Sequence, residues 1–239
     1  VQQLLGMLFG IYLARTLKAE DYGLVGMLAI FSGIASTIIN SGFSVALTNK
    51  LDATHKDYNA VFWFSFVVSI CLYIVLFFSA PLIASFYDRQ ELVNLSRVIF
   101  ASFLFSGMAI VPHVILFKQL QVKMQAKIDV FALFLSGMCG GLLAFNGFAY
   151  WALAIQSTVY VASASLLKWM VVSWRPSLDF SIEPLKEMFP FSVKLFLTNI
   201  FQQVNNNVFS VLLGKLYNAN VLGYYSQGNK WMTMGGSML

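Results

Sequence analysis

The chain has 239 residues, of which 59% are hydrophobic and only 10% charged, against about a quarter charged in a soluble domain. Lys and Arg outnumber Asp and Glu by 15 to 10, but the cations are scattered over short gaps between apolar stretches, which points to membrane orientation and lipid headgroups and away from nucleic acid. Cys71 and Cys139 both sit inside apolar stretches, the two histidines (His55, His113) are far apart in sequence, and no Gly-rich phosphate loop is present, so no disulfide framework, metal set, cofactor or nucleotide motif is implied.

A bilayer core about 30 Å thick takes roughly 20 apolar residues per helix. In chain order the pattern predicts eight spans: Val1 to Leu13, Tyr22 to Asn40, Ala60 to Ala80 (ended by Pro81), Ser96 to Phe117, Ile128 to Asn146, Tyr150 to Val172, Phe191 to Leu213, and one from about Val221. Segments such as Val67 to Phe78 do not alternate apolar and polar residues, so helices are expected and a barrel is not. The first residue is Val1 and the last, Leu239, interrupts an apolar run, so the sequence reads as a piece cut at both ends.

Between the spans, one set of loops holds Lys50, Lys56, Lys118, Lys123, Lys127, Arg175 and Lys186, with Lys168 at an edge; the other holds Arg15, Lys18, Arg89 and Lys215, with Arg97 at an edge. The excess puts the first set, and the N-terminus, in the cytoplasm. Residues 177–189 alternate Leu178, Phe180, Ile182, Leu185 and Met188 with Asp179, Glu183, Lys186 and Glu187. They read as a short helix on the membrane surface, with Ser181 as N-cap and Pro184 in the first turn. The organisation predicted is a first six-helix lobe (1–172), a cytoplasmic connection carrying the surface helix (173–190), and the start of a second lobe (191–239).

An internal match supports two lobes. Residues 1–25 align without a gap to 201–225: Gln2, Gln3, Phe9, Leu13, Ala19 and Gly23 face Gln202, Gln203, Phe209, Leu213, Ala219 and Gly223, and Arg15 faces Lys215. Six spans separate the copies, so both enter the membrane in the same direction, as in parallel transporter repeats.

Span 7 is the unusual one. Asn199, Gln202, Gln203 and Asn206 follow the i, i+3, i+4, i+7 spacing and share a face, with Lys194 and Thr198 a turn earlier. Interhelical hydrogen bonding would explain one or two amides; this many, with a Lys, point to a hydrated cavity. Amides suit sugar hydroxyls and Lys suits phosphate. Span 8 adds Asn229 and Lys230 near mid-membrane. No Asp or Glu lies near the middle of a span, Asp129 being nearest, so an anionic substrate is the partner implied for Lys194 and Lys230. Gly6 and Gly10 form a GxxxG that permits close helix approach. Pro112 and His113 read as a kink with a satisfied His, the other reading being a proton relay.

Several short patterns carry a resemblance. Ala14-Arg15-Thr16-Leu17-Lys18-Ala19-Glu20-Asp21-Tyr22-Gly23-Leu24, Gly42 to Lys50, the basic stretch Phe117 to Asp129, Tyr150-Trp151-Ala152-Leu153 with Gln156, and Leu222-Gly223-Tyr224-Tyr225 occur in the order found in polysaccharide transporters. The chain resembles the lipopolysaccharide-type flippases of the multidrug/oligosaccharidyl-lipid/polysaccharide superfamily. The resemblance implies two six-helix bundles that rock about a cation-rich cavity. It implies translocation of undecaprenyl-pyrophosphate-linked oligosaccharide across the bacterial inner membrane, without covalent chemistry or prosthetic group. Lys194, Lys230 and Arg15 would meet the pyrophosphate, and the span 7 amides the glycan. A proton or sodium gradient could drive it, although no span carries a central carboxylate for the ion. Two other readings stand beside it: a drug or metabolite antiporter of the same superfamily, and an integral-membrane glycosyltransferase or acyltransferase, which would require clustered Asp, Glu or His at a membrane face.

Overall fold

A computed structural model describes residues 2–40, 42–179 and 181–236. Val1, Phe180 and Leu239, placed above in the first span, the amphipathic segment and the terminal apolar run, lie outside the described residues. Regular structure among the described residues is entirely helical: α1 Gln2–Thr16, α2 Ala19–Met27, α3 Ala29–Asn40, α4 Phe43–Asn49, α5 His55–Tyr87, α6 Glu91–Lys118, α7 Val122–Phe145, α8 Ala149–Val171, α9 Glu183–Leu216 and α10 Ala219–Gly236. An all-α bundle is therefore present, as the apolar spacing requires.

Among the described residues, four segments are long and apolar enough to cross a membrane: Ala29–Asn49, His55–Tyr87, Glu91–Lys118 and Val122–Phe145. Eight were expected. The described part of α1 is short, and α8, α9 and α10 are diluted by Ser, Thr, Asn and Gln, the mark of helices facing polar space as well as lipid.

Three boundaries differ from expectation. Span 2 is two helices, broken at Leu28 between α2 and α3. Pro81 does not end span 3. Instead α5 continues through it to Tyr87 and stops at Asp88, which takes the left-handed conformation at φ 55°; a long transmembrane helix tolerates an internal proline because neighbours re-satisfy the freed carbonyl. The surface helix is not separate: α9 runs from Glu183 through Pro190 to Leu216. Pro184 does fall in its first turn, and Ser181 Oγ accepts the Glu183 amide at 3.4 Å.

Packing explains the order. The α5–α6 hairpin and the α7–α8 pair meet where α6 lies on α8, around fully buried Leu92, Leu95, Phe100 and Val111. Helix α1 lies on α7 because α7 supplies small residues: a methyl on Gly137 would sit 2.5 Å from the Phe9 ring, and one on Gly141 would sit 3.4 Å from Tyr12. Close approach here thus uses the glycines of α7, while Gly10 of the GxxxG faces Trp231 and Lys230 of α10. Gly42 has φ 73°, and a methyl there would lie 2.6 Å from the Ser192 carbonyl oxygen, so only glycine serves where α4 turns under α9.

One end of the bundle is tied by Lys50, whose ammonium meets Asp57 at 3.0 Å and Glu187 at 2.6 Å, joining α4, α5 and α9. Bonding to Glu187 first, then Asp57, holds the Lys50 ammonium above its ordinary value. A raised cation contributes fully at neutral pH and is lost only as pH climbs through that raised value. Beside it the connection between α8 and α9 is pinned to α5: Asn59 accepts the Ser177 amide at 3.0 Å and donates to the Asp179 carbonyl at 2.5 Å, and the Trp63 indole donates to the Ser177 carbonyl at 2.7 Å.

Candidate functional site: a polar cavity under a helix crossing

The turn between α1 and α2 shows how the local sequence works. Asp21 accepts the Lys18 amide at 2.9 Å and so starts α2. Glu20 pairs with Arg89 of the α5–α6 turn at 2.8 Å, and Lys215, at the end of α9, pairs with Asp88 of the same turn at 3.1 Å. Both ends of the internal match are thereby moored to one point.

The helices that follow cross each other. A methyl on Gly23 would lie 1.8 Å from the carbonyl oxygen of Ala219, and one on Gly223 would lie 1.8 Å from that of Ala19. The contact is reciprocal: each glycine receives the other helix's alanine at the aligned position. This self-complementarity is what a two-fold relation imposes on an interface, and hydrogen in place of Cβ is what lets two backbones touch. A turn further on, Gly26 meets Ser226 and Leu222.

Directly beyond the crossing lies a cavity of about 700 Å³ bordered by α2, α3, α6, α8, α9 and α10. Its polar lining includes Asn206 and Asn207 of α9 and Ser226, Asn229, Lys230 and Thr233 of α10, with Ser102 and Ser157 opposite. Lys230 is the one charged side chain among its described lining residues. Gly10 of α1 stands beside the ammonium, 3.9 Å from where its Cβ would be. The cavity therefore presents one cation amid amides and hydroxyls, a set suited to an anion carrying hydroxyl groups.

Of the side chains singled out in the sequence, Asn206, Asn229 and Lys230 line this cavity. Gln203 is not among the lining residues: its Oε1 would touch a methyl on Gly33 at 2.6 Å, and it accepts a 3.2 Å bond from Asn207, which does line the cavity. Lys194, Asn199 and Gln202 are exposed on α9 and do not border the cavity. Arg15 is exposed at the end of α1, on the far side of the crossing. The spacing i, i+3, i+4, i+7 fits 199, 202, 203, 206 and equally fits 203, 206, 207, 210. The cavity takes Asn206, Asn207 and Ser210 from the second set. Tyr22, Tyr225 and Ser226, which the sequence reading did not single out, also line it; their signal was position within a turn of the paired glycines.

Comparison with known proteins was made on this geometry. The family model described as "Polysaccharide biosynthesis protein" matches residues 12–239. The chain belongs to that family. Proteins similar to it include the teichuronic acid biosynthesis protein TuaB of Bacillus subtilis (28% identical over 202 residues, 84% of this chain and 42% of that protein). The lipopolysaccharide biosynthesis protein WzxC of Escherichia coli is 20% identical over 93% of this chain and 46% of its own length. The succinoglycan biosynthesis transport protein ExoT of Rhizobium meliloti is 21% identical over 93% and 45%. The chain thus spans less than half the length of these relatives. In fold it matches a multidrug resistance MATE family transporter of the MOP superfamily, solved in an inward-facing conformation, with a TM-score of 0.67 over 98% of this chain and 58% of the other, at 19% identity. The all-α fold is therefore shared with that transporter.

Proposed function

We propose that this family member is part of a flippase that carries undecaprenyl-pyrophosphate-linked oligosaccharide across the bacterial inner membrane for surface polysaccharide assembly. The observation that carries the reading is the cavity holding Lys230 among Asn206, Asn207, Asn229 and serine and threonine hydroxyls. An isolated cation at membrane depth is costly unless hydrated or paired, and a pyrophosphate supplies the pairing while the amides suit sugar hydroxyls. The names of the three relatives, for biosynthesis of teichuronic acid, lipopolysaccharide and succinoglycan, the last also for transport, agree with such a cargo.

In this reading α1–α8 form the first lobe and α9 opens the second. The loop charges put the turns α1–α2 and α9–α10 on the periplasmic side. The reciprocal crossing of α2 and α10 then closes the periplasmic end of the cavity, and transport requires it to part. Anion binding shifts the balance of states only through different contacts in each. Nothing in the cavity calls for covalent chemistry, so the work is binding and release. A cationic drug is opposed by Lys230, which disfavours the antiporter alternative.

The test is export in cells lacking the corresponding flippase. The intact protein should restore surface polysaccharide, and Lys230→Ala should leave lipid-linked units accumulating inside while the protein stays in the membrane at normal level. Full export by that variant would remove the cavity from the mechanism.

A further inference from the structure

A second polar space lies within the first lobe, about 350 Å³, and three titratable side chains of different chemistry converge on it from three helices: His113 of α6, Asp129 of α7 and Lys168 of α8, with the Tyr160 phenol beside them. Helices α3 and α4 close the remaining side with Ser36, Asn40 and Ser44, none of which titrates. No direct ion pair joins Asp129 to Lys168 among the described residues: the salt bridges within 4.0 Å all involve Lys50, Arg89 or Lys215. The carboxylate, the ammonium and the imidazole therefore border one polar space without a direct ion pair between the first two.

The arrangement is held in place by a backbone device. Pro112 has no amide hydrogen, so the Met108 carbonyl, four residues earlier in α6, lacks its helical donor. The Trp169 indole of α8 donates to that carbonyl at 3.0 Å. One turn earlier, Ser165 of α8 donates to the Phe105 carbonyl at 2.9 Å. These two bonds fix the register of α8 on α6, and the residues next to the proline and the indole are His113 and Lys168. From α7, Gln125 donates to the His113 carbonyl at 3.1 Å, bringing Asp129, one turn on, to the same space. Val161 lines both this pocket and the cavity that holds Lys230, so the two spaces share a wall.

We propose that His113, Asp129 and Lys168 form a proton-binding site in the first lobe, in which the imidazole takes up the proton, the carboxylate favours the charged form and the ammonium opposes it. Imidazole is the side chain suited to change charge between about pH 5 and 8. Uptake adds one positive charge beside the central cavity, and release removes it.

Histidine nitrogen NMR on the intact protein in lipid nanodiscs tests this without reference to cargo, so its failure and that of the flippase reading are separable. His113→Gln assigns the resonance. The His113 signal should titrate between about pH 5 and 8. Asp129→Asn should displace the midpoint to lower pH and Lys168→Gln to higher pH, while Lys168→Arg, which keeps the charge, should leave it in place. A His113 that keeps one protonation state throughout that range, or a midpoint indifferent to both charge-removing variants, overturns the proposal.

Discussion

The two matched copies, α1–α2 and α9–α10, are alike where they touch and unlike where they line space. Ala19 and Gly23 pair with Ala219 and Gly223 in mutual contact, and both copies end on ion pairs to the α5–α6 turn. Past the glycines the copies part, and seven residues on the difference is one of charge. Ala29 and Ile30 in the first stand where Asn229 and Lys230 stand in the second, and α2 breaks at Leu28 while α10 continues unbroken to Gly236. Symmetry has been kept where two backbones must meet at van der Waals distance, since any added Cβ spoils it from either side. It has been lost where a ligand is expected, because a cation and an amide on one wall suffice to bind an anion.

Removing the symmetry should have the largest effect. Gly23→Val or Gly223→Val should each separate α2 from α10. Surface polysaccharide should fall by about tenfold or more, the scale of ~1.4 kcal/mol, and a cysteine introduced at Lys18 should label faster from outside in intact cells. Unchanged labelling in both variants would mean the crossing does not close that end. Removing the asymmetry comes next: Lys230→Ala should reduce export to a similar or slightly smaller degree, with Lys230→Arg restoring part of it, as measured by accumulation of lipid-linked units. A smaller loss is expected away from both copies. Trp169→Phe leaves the Met108 carbonyl without a donor, at about 1–3 kcal/mol, seen as a lower unfolding midpoint in detergent with export retained near neutral pH. Smallest is the Lys50 tie. Glu187→Gln removes a largely exposed partner and should shift stability by no more than about 1 kcal/mol, with the residual Lys50–Asp57 contact holding at neutral pH; a larger shift would make that tie a principal joint of the two segments.

Much of this was legible in one dimension. The apolar spacing showed helices, the match of residues 1–25 to 201–225 pointed to the two segments that cross in the fold, and Asn206 and Lys230 stood out as polar residues without an obvious partner. The rotation of α9 was not legible, because its amides are so dense that two overlapping helical faces both look polar; only packing of Gln203 against Gly33 selects between them. Nor was the fusion of the amphipathic segment with span 7, since Pro190 looks like a terminator until the surrounding helices supply its context. His113 gave a local signal of a kink, while Asp129 and Lys168 lay at span edges and carried no hint of convergence.

The sequence alone determined that the chain is helical and built for a membrane, because hydrophobic length is a property of the chain itself. Which glycines touch, which amides face the cavity and which charged groups border the second polar space depended on how helices far apart in sequence rotate and cross. Those contacts are decided by steric fit between backbones and by unsatisfied carbonyls seeking donors, and neither can be read until the chain has folded.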